Sequence, residues 1–574
     1  MLMLTTSRRW RIVAAAAIAL LVPATAAPVH AAPPDDPSIL AKALTLQQQL
    51  YKTKKAGVAD FDDGDPGGQP IAAGGDVSCA AGFLELWCWG AGNAEPEAPT
   101  NALANSAGPV TAGGAHQCVL ELFDDSDVGG DLYCWGDNTY GQVGDGTTTA
   151  RPAPVKVRGG VLQVAAGADH TCAILVDRSL VCWGRDDAGQ LGQGAAGVPV
   201  TTPQAVPGLD DLADVAAGGD TTCALDDAGA AWCWGSNSDG QVGDGTAGAT
   251  PVATPTSVDT APLGSDDELG QIEVGARHTC AVTYDERVWC WGADGHGQLG
   301  DDPAQAAQNL PVDTGLEAAW MVTAGGDSTC AVIEDGQGWC WGDNTEGQLG
   351  TGDHTDRAEP AKLDQSGLTG SSLYEYVFGA TGGLLFGISM GERHACGMDV
   401  AGNAYCWGDN AGGQLGDGTT TDRLRPTATL LRPGAPRDVD TQARDAEIGV
   451  DWTSSDELGL GSVRGSQAVA FTEEGGFGSC SPGDSTSTGC TISSLTNDAE
   501  YLVFVSTMTT GGMATAEPVA ATPLGMASPA PVAGGGGGQL PITGAAVSLL
   551  IAIGGGLVMG GMALRRRARE RRPR

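Results

Sequence analysis

Thr279-Cys280-Ala281-Val282-Thr283-Tyr284-Asp285-Glu286-Arg287-Val288-Trp289-Cys290-Trp291-Gly292 decides the fold. A short apolar run, a polar turn and a second apolar run, with a cysteine near each end, form the pattern of one antiparallel hairpin. The unit returns six more times, always closing on Cys-Trp-Gly, at Cys88, Cys134, Cys182, Cys233, Cys340 and Cys406. Five of the seven cysteine pairs share a ten-residue offset (172/182, 223/233, 280/290, 330/340, 396/406). Pair 79/88 is one residue shorter, and Phe123-Asp124-Asp125-Ser126-Asp127 lengthens the turn of pair 118/134. A return every fifty residues or so marks stacked or radially arranged repeats.

Facing residues of an antiparallel pair approach the Cα separation of about 5.5 Å that a disulfide prefers. One bond per hairpin is then the simplest connection: Cys79–Cys88, Cys118–Cys134, Cys172–Cys182, Cys223–Cys233, Cys280–Cys290, Cys330–Cys340 and Cys396–Cys406, with Cys480–Cys490 beyond the repeats. Alternation along the strand sends Trp at Cys+1, and often Trp at Cys−1 (Trp87, Trp232, Trp289, Trp339), to the face opposite the sulfur. Each closed loop of about eleven residues stabilises the fold by roughly 2–3 kcal/mol on the chain-entropy account.

An apolar run ending in glycine precedes each hairpin (Val164-Ala-Ala-Gly167, Val215-Ala-Ala-Gly218, Val322-Thr-Ala-Gly325). A turn such as Gly141-Gln-Val-Gly144-Asp-Gly146 or Gly413-Gln-Leu-Gly416-Asp-Gly418 follows it. Four short strands per unit with glycine at the corners is the composition of a propeller blade. The pattern Trp-Gly-Asp-Asn, then Gly-Gln-Leu-Gly-Asp-Gly-Thr-Thr-Thr, resembles the regulator-of-chromosome-condensation repeat family over residues 71–432. That resemblance implies a seven-bladed propeller, although the first unit lacks the Gly-Gln-Leu-Gly turn. The expected fold is all-β: a seven-bladed β-propeller with intra-blade disulfides, then a small β-sandwich and a C-terminal transmembrane sorting helix.

Residues 1–31 read as a signal peptide, with Arg8, Arg9 and Arg11 ahead of an apolar core from Ile12 to Val22 and Val29-His30-Ala31 at the cleavage site. An exported, oxidising destination agrees with sixteen cysteines that fall into eight pairs. Residues 32–70 carry no repeat; Ser38 to Lys55 has helical spacing, and the aspartates after Phe61 read as solvated linker. Residues 433–524 alternate as strands. Ser494-Leu-Thr-Asn-Asp-Ala-Glu-Tyr501 resembles the tyrosine corner of the fibronectin type III family, with Trp452 at that family's early-strand tryptophan.

Residues 525–539 are a Pro/Gly-rich wall linker. Leu540-Pro541-Ile542-Thr543-Gly544, a mostly apolar stretch over 545–564 and a basic tail over 565–574 resemble the sortase sorting signal of Gram-positive surface proteins. Twenty such residues suffice to span a bilayer, and the arginines favour the cytoplasmic side. The resemblance implies cleavage between Thr543 and Gly544, and covalent linkage of Thr543 to peptidoglycan. Sortase is then the processing partner, and the precursor is membrane-inserted before it reaches the cell wall.

The chain has a net charge of −40. Removing both targeting segments takes away ten arginines and one glutamate, leaving 20 basic against 69 acidic residues, or −49. A surface of that sign repels phosphate backbones, which excludes nucleic acid as the natural partner.

His116, His170, His278 and His394 all stand two residues before the first cysteine of a hairpin. A residue repeated around a ring reads as a strand-edge hydrogen-bonding group, and no unit offers a four-ligand zinc set outside the disulfides. His296 and His354 read as isolated turn residues. Neither a metal nor a cofactor is expected.

No Gly-x-Ser-x-Gly elbow, phosphate loop, His-Glu-x-x-His or Cys-x-x-Cys occurs, so the chain does not read as an enzyme. In a repeat scaffold, function sits where the units differ. The longest insertion, Asp364 to Gly387, reads as an extra strand or flap covering a blade edge, or as a partner-binding surface. Its Tyr374, Tyr376, Phe378 and Phe386 are the candidate contacts for an unidentified extracellular protein or glycan. The expected role is wall-anchored binding or adhesion. The alternatives are inhibition of an extracellular enzyme, as by a secreted β-lactamase-inhibitory protein of this repeat architecture, and action on a wall or host polymer.

Overall fold

The computed structural model describes residues 70–524, apart from 83–84, 92–99, 105–106, 122–128, 265–266, 302–305, 335, 369–384, 400–401, 432–433, 456–462, 473–476, 483–486, 510–511 and 517. The expected signal peptide, the helix over 38–55, the wall linker, the sorting motif and the apolar span at 545–564 lie outside those residues. Among the described residues, no helix is long and apolar enough to cross a membrane.

The repeats form antiparallel sheets whose strands follow one another in chain order. Five of these sheets have four strands; the sixth has seven and holds the second and third units together. Its join is one long strand, Arg151–Ala166, whose first half pairs with Gly130–Gly136 and whose second half pairs with His170–Leu175. The expectation of four separate short strands per unit therefore fails at this junction. Gly159-Gly160 marks the junction between the outer strand of the second unit and the inner strand of the third, yet the strand runs through it, with Val155-Lys156-Val157-Arg158 extended before it and Val161-Leu162-Gln163-Val164 after it.

All seven repeat disulfides form, and each joins directly facing residues, as in Cys172↔Cys182 and Cys280↔Cys290. Their Cα separation is 4.1 Å, shorter than the separation expected from the sequence. It belongs to the closely spaced, non-hydrogen-bonded pair of an antiparallel ladder, where side chains lie nearest.

The sulfurs and the indoles then occupy opposite faces, and neighbouring units interlock through them. Cys118 and Cys134 pack with Trp183 of the next unit, and Cys172 and Cys182 with Trp234. Cys223 and Cys233 meet Trp289 and Trp291, and Cys280 and Cys290 meet Trp341. Cys330 and Cys340 meet Trp407 and Tyr405. The ring closes by the same contact: Cys396 and Cys406 of the seventh unit pack with Trp87 and Trp89 of the first, and Cys79 and Cys88 with Trp135 of the second. Among the described residues no strand is exchanged between the ends: the strands of the first sheet come from residues 71–104 and those of the last repeat sheet from 385–428.

Two further sheets follow. Arg437–Arg444, Glu447–Thr453 and Gly489–Ser493 form a three-stranded sheet, and Val463–Phe471 and Tyr501–Thr509 are the central strands of a five-stranded one. They share a core of Ile448, Val450, Trp452, Ala468, Ile492, Val503 and Val505. The buried Tyr501 accepts a hydrogen bond at its hydroxyl from the Thr496 backbone N–H, 3.0 Å away. Cys480–Cys490 ties one sheet to the other. The Met513 N–H donates to Asn403 Oδ1 of the repeat ring at 3.1 Å.

Trp291 is fully buried. Trp291→Ala is expected to lower stability by about 3–5 kcal/mol, the cost of emptying a large aromatic site. Val198→Ala, at a side chain 73% exposed, is expected to stay within about 0.5 kcal/mol of the parent. Equal shifts of the urea midpoint in the two variants would contradict the interlock.

Candidate functional site

Each repeat motif letter has a structural task at the seam between units. In the turn after the hairpin, an Asn or Asp side chain accepts from the backbone N–H five residues on, as in Asn138 Oδ1 with Val143 N and Asp186 Oδ1 with Leu191 N. The glutamine two residues past the turn's midpoint accepts at Oε1 from a nearby N–H, as Gln142 does from Tyr140. That leaves the glutamine carbonyl pointing into the next unit, where it takes two donors. Gln142 O accepts from Trp183 Nε1 (2.9 Å) and Thr171 Oγ1 (2.8 Å). Gln190 O accepts from Trp234 and Thr222, Gln241 O from Trp291 and Thr279, Gln298 O from Trp341 and Thr329, and Gln414 O from Trp89 and Ser78. The glycine of Gly-Gln-Val-Gly144 is required by this approach: a Cβ there would lie 2.5 Å from Trp183 Nε1, and its φ is +83°.

The four hairpin histidines join the same network. His116 Nε2 lies 2.9 Å from Thr171 Oγ1, His170 Nε2 2.8 Å from Thr222, His278 Nε2 2.8 Å from Thr329, and His394 Nε2 2.8 Å from Ser78. Each hydroxyl spends its one hydrogen on a glutamine carbonyl, so it accepts from the histidine, which fixes the Nε2–H tautomer. The Nδ1 atoms have no partner. Burial pushes all four far down, to about 4 for His116, His278 and His394 and about 3 for His170. They are neutral scaffold groups, as their repetition implies.

The inner strands form a second polar ring that sequence reasoning did not single out. Thr111 Oγ1 accepts from Ala166 N of the next unit, Thr323 from Met390 N, and Ser389 from Ala73 N. Gln163 both donates to Asp214 Oδ1 (2.8 Å) and accepts from Val215 N, and Gln271 makes the matching pair with Val322. The buried Asp214 reaches Ile272 N at 3.0 Å, and burial raises its carboxyl to about 6. Glu273 is raised as well, by burial first and by Asp214 second. The available signal was the polar residue two or four places before each strand-ending glycine.

Of the candidate ligand contacts, Tyr374, Tyr376 and Phe378 lie outside the described residues. Phe386 does not belong to a flap: Leu385–Met390 is the inner strand of the seventh unit, and the half-buried Phe386 ring packs 5.9 Å from Trp320. The inner-strand pattern of Leu385, Gly387 and Ile388 claims it, since Leu385 and Ile388 enter the core. The ends that flank segments 122–128 and 369–384 lie at one end of the ring. Glu121 faces Asp131 at the hairpin tip of its unit, and Leu385 faces Asp399 beside the corresponding tip. His296 and His354 are not isolated: His296 Nδ1 is 3.0 Å from Asp356 Oδ2, and His354 Nδ1 is 2.9 Å from the Thr345 carbonyl.

Repeats of this design match a described family. The regulator of chromosome condensation (RCC1) repeat pattern fits residues 129–174, 179–225, 228–282, 335–372 and 401–438, and a second form of it fits 161–190, 213–241, 271–298 and 387–414. The chain carries RCC1 repeats. It is 27% identical over 326 residues to the ultraviolet-B receptor UVR8 of Arabidopsis thaliana, covering 55% of this chain and 68% of that one. It is 28% identical over 215 residues to the human E3 ubiquitin-protein ligase HERC2, covering 36% of this chain but 4% of that protein. The mitochondrial RCC1 domain-containing protein RUG3 of Arabidopsis thaliana is 29% identical, with 41% of this chain and 55% of that one covered.

Among solved structures, human WBSCR16 superposes with a TM-score of 0.50 at 21% identity, covering 60% and 86% of the two chains. Yeast RCC1 (Prp20), solved bound to Kap60, superposes with a TM-score of 0.50 at 19% identity, covering 71% and 92%. These two likenesses concern the fold of the RCC1 ring alone.

The depressed histidines make a signed prediction. Their folded pKa lies below the unfolded value, so between pH 6.5 and about 4 the unfolded chain binds more protons, and stability falls as pH falls. His278→Val, which installs the residue of the first unit, removes one such group. The stability gap between parent and variant is expected to narrow by about 1.4 kcal/mol per pH unit on going down through that window. A gap that is constant or widens in denaturant titrations would refute a neutral buried His278.

Proposed function

We propose that this chain is a surface-anchored binding protein: a seven-bladed propeller carried outside the cell on a fibronectin type III-like spacer and joined to peptidoglycan through Thr543. The observation that carries this reading is the cysteine usage. All sixteen cysteines are bonded, and bonded within hairpins or across the sandwich, which is the chemistry of an oxidising compartment. The Leu540-Pro541-Ile542-Thr543-Gly544 motif, its apolar stretch and its arginines supply the matching address.

Seven interlocked units in a closed ring support the blade count. The bond from Thr496 N to Tyr501, together with Trp452 in the shared core, supports the fibronectin type III-like reading of the spacer. A net charge of −40 favours proteins or glycans over nucleic acid as ligands. The ligase activity named for HERC2 is not carried over, since the match spans 4% of that protein. Recognition falls at the ring end that bears the flanks of 122–128 and 369–384, where the units depart from one another. Interface energy concentrates in a few aromatic side chains, and Tyr374, Tyr376 and Phe378 supply them.

Two experiments test this reading. Thr543→Ala is expected to move the protein from the wall fraction to the membrane fraction with residues 544–574 still attached; unchanged wall linkage would overturn the anchor. Deleting residues 371–384 is expected to leave the melting temperature in place and to abolish binding to whichever members of an extracellular protein and glycan panel the parent retains. A collapsed melt would make the segment structural cover, and unchanged binding would move the contact elsewhere.

A further inference from the structure

We propose that His296, Asp343 and Asp356 form a divalent-cation site of the zinc class at the seam between the fifth and sixth units. His296 comes from the Asp294–Gly300 turn of the fifth unit. Asp343 follows the Cys-Trp-Gly of the sixth, and Asp356 directly precedes that unit's outer strand, Arg357–Lys362. His296 Nδ1 lies 3.0 Å from Asp356 Oδ2 and 3.8 Å from Asp343 Oδ1, and the three ligand atoms all fall within 4.8 Å of one another. Ligands held about 2.0–2.2 Å from one ion have separations of this order. One imidazole nitrogen with two carboxylate oxygens suits zinc, cobalt or manganese better than calcium or magnesium, which favour all-oxygen shells.

The arrangement is held from outside as well. Asp356 Oδ1 accepts from Asn344 N at 2.9 Å, which leaves Oδ2 for His296. Asp343 accepts from Thr345 N at Oδ1 and from Gln348 Nε2 (2.8 Å) at Oδ2. His296 N donates to Gln298 Oε1, which fixes the turn. Such outer contacts orient ligands before the ion arrives.

Charge separates this seam from its equivalents. In the seventh unit Asp409 stands where Asp343 does and pairs with Arg393 at 3.1 Å. In the second unit Tyr140 stands where His296 does and lies under the Arg185 guanidinium. At the fifth-to-sixth seam, among the described residues, no lysine or arginine pairs with Asp343 or Asp356. The nearby Arg277 is engaged with Asp327 and Arg357 with Asp353. Two carboxylates and an imidazole thus face one another without a guanidinium to neutralise them. Three protein ligands leave a coordination position for water or for a donor from a bound partner.

The test uses the full chain, stripped with chelator. Zinc is titrated by calorimetry and cobalt by visible absorption. One saturable ion per chain is expected. His296→Tyr, which installs the second unit's residue, and Asp356→Asn are each expected to weaken binding about tenfold or more. Asp422→Asn, at the position of Asp356 in the seventh unit, is expected to leave binding unchanged. Circular dichroism checks that each variant is folded; if His296→Tyr is not, Asp356→Asn and Asp343→Asn decide. Absent binding, or binding that neither ligand variant weakens, overturns the proposal. So does uptake of several ions that salt abolishes, which marks a diffuse acidic surface.

Discussion

The ring depends on the packing of one unit's disulfide face against the next unit's tryptophan face. A cross-strand disulfide between close-facing residues is compact and rigid, so it offers a flat apolar patch where a larger pair would leave a bulge. An indole fills the space opposite and still has one polar atom to satisfy. The Gln carbonyl from the preceding turn meets that need, with Trp183 Nε1 on Gln142 O as the pattern. Burial of the ring and satisfaction of its N–H are therefore one requirement, which is why the hairpin and the turn travel together in the sequence. The sulfur–indole packing recurs from unit to unit and joins the last repeat to the first, where Gln414 O also takes Trp89 Nε1; after the first unit, whose sequence lacks the Gly-Gln-Leu-Gly turn, the packing with Trp135 stands alone.

Much of this was legible in the sequence because the determinants are local. Cys-Trp-Gly with a partner ten residues back specifies hairpin, register and facing at once, and the disulfides and the alternation of sulfur and indole follow from period two. What was not legible depends on neighbours fifty residues away. His296 looks solitary along the chain and meets Asp356 only through the ring. Asp214 looks like a loop carboxylate beside Asp210 and Asp211, yet it is buried against Gln163 and Ile272. Phe386 falls within the irregular Asp364–Gly387 stretch along the chain, whereas the core demands of Leu385 and Ile388 place it in the unit's inner strand. The fused second and third units show the same limit, since continuity of Arg151–Ala166 is decided by pairing partners at both of its ends.

The two polar rings carry different electrostatic characters. At the outer seam the histidines are neutral and their pKa values are depressed, so acid works against them. On the inner strands Asp214 and Glu273 are raised, so acid relieves a buried charge there. The two effects oppose each other between about pH 4 and 6.5. The carboxylates offset part of the histidines' response, which is why a difference between parent and single variant isolates what a bulk melting curve would blur.

The departures from symmetry follow a pairwise rule. Every hairpin histidine meets a hydroxyl in the next unit: His116 with Thr171, His170 with Thr222, His278 with Thr329, and His394 with Ser78. Where the histidine is replaced, the demand on the next unit lapses. Val77 is followed by Gln117 and Ser328 by Ala395, while Thr221 and Ser328 turn back to carbonyls of their own unit. A buried imidazole with neither nitrogen bonded would cost more than the fold gains from the ring it fills, so the hydroxyl is obligatory only where the histidine is present. The rule runs one way only: after Thr221 the next unit still carries Thr279, whose hydroxyl donates to Gln241 O at 2.8 Å with no histidine beside it. Other single-residue departures stand at Tyr140, His296 and Glu346, which precede the turn glycine and are only half-buried. There a change disturbs no buried partner, and new chemistry enters the scaffold without cost to the ring.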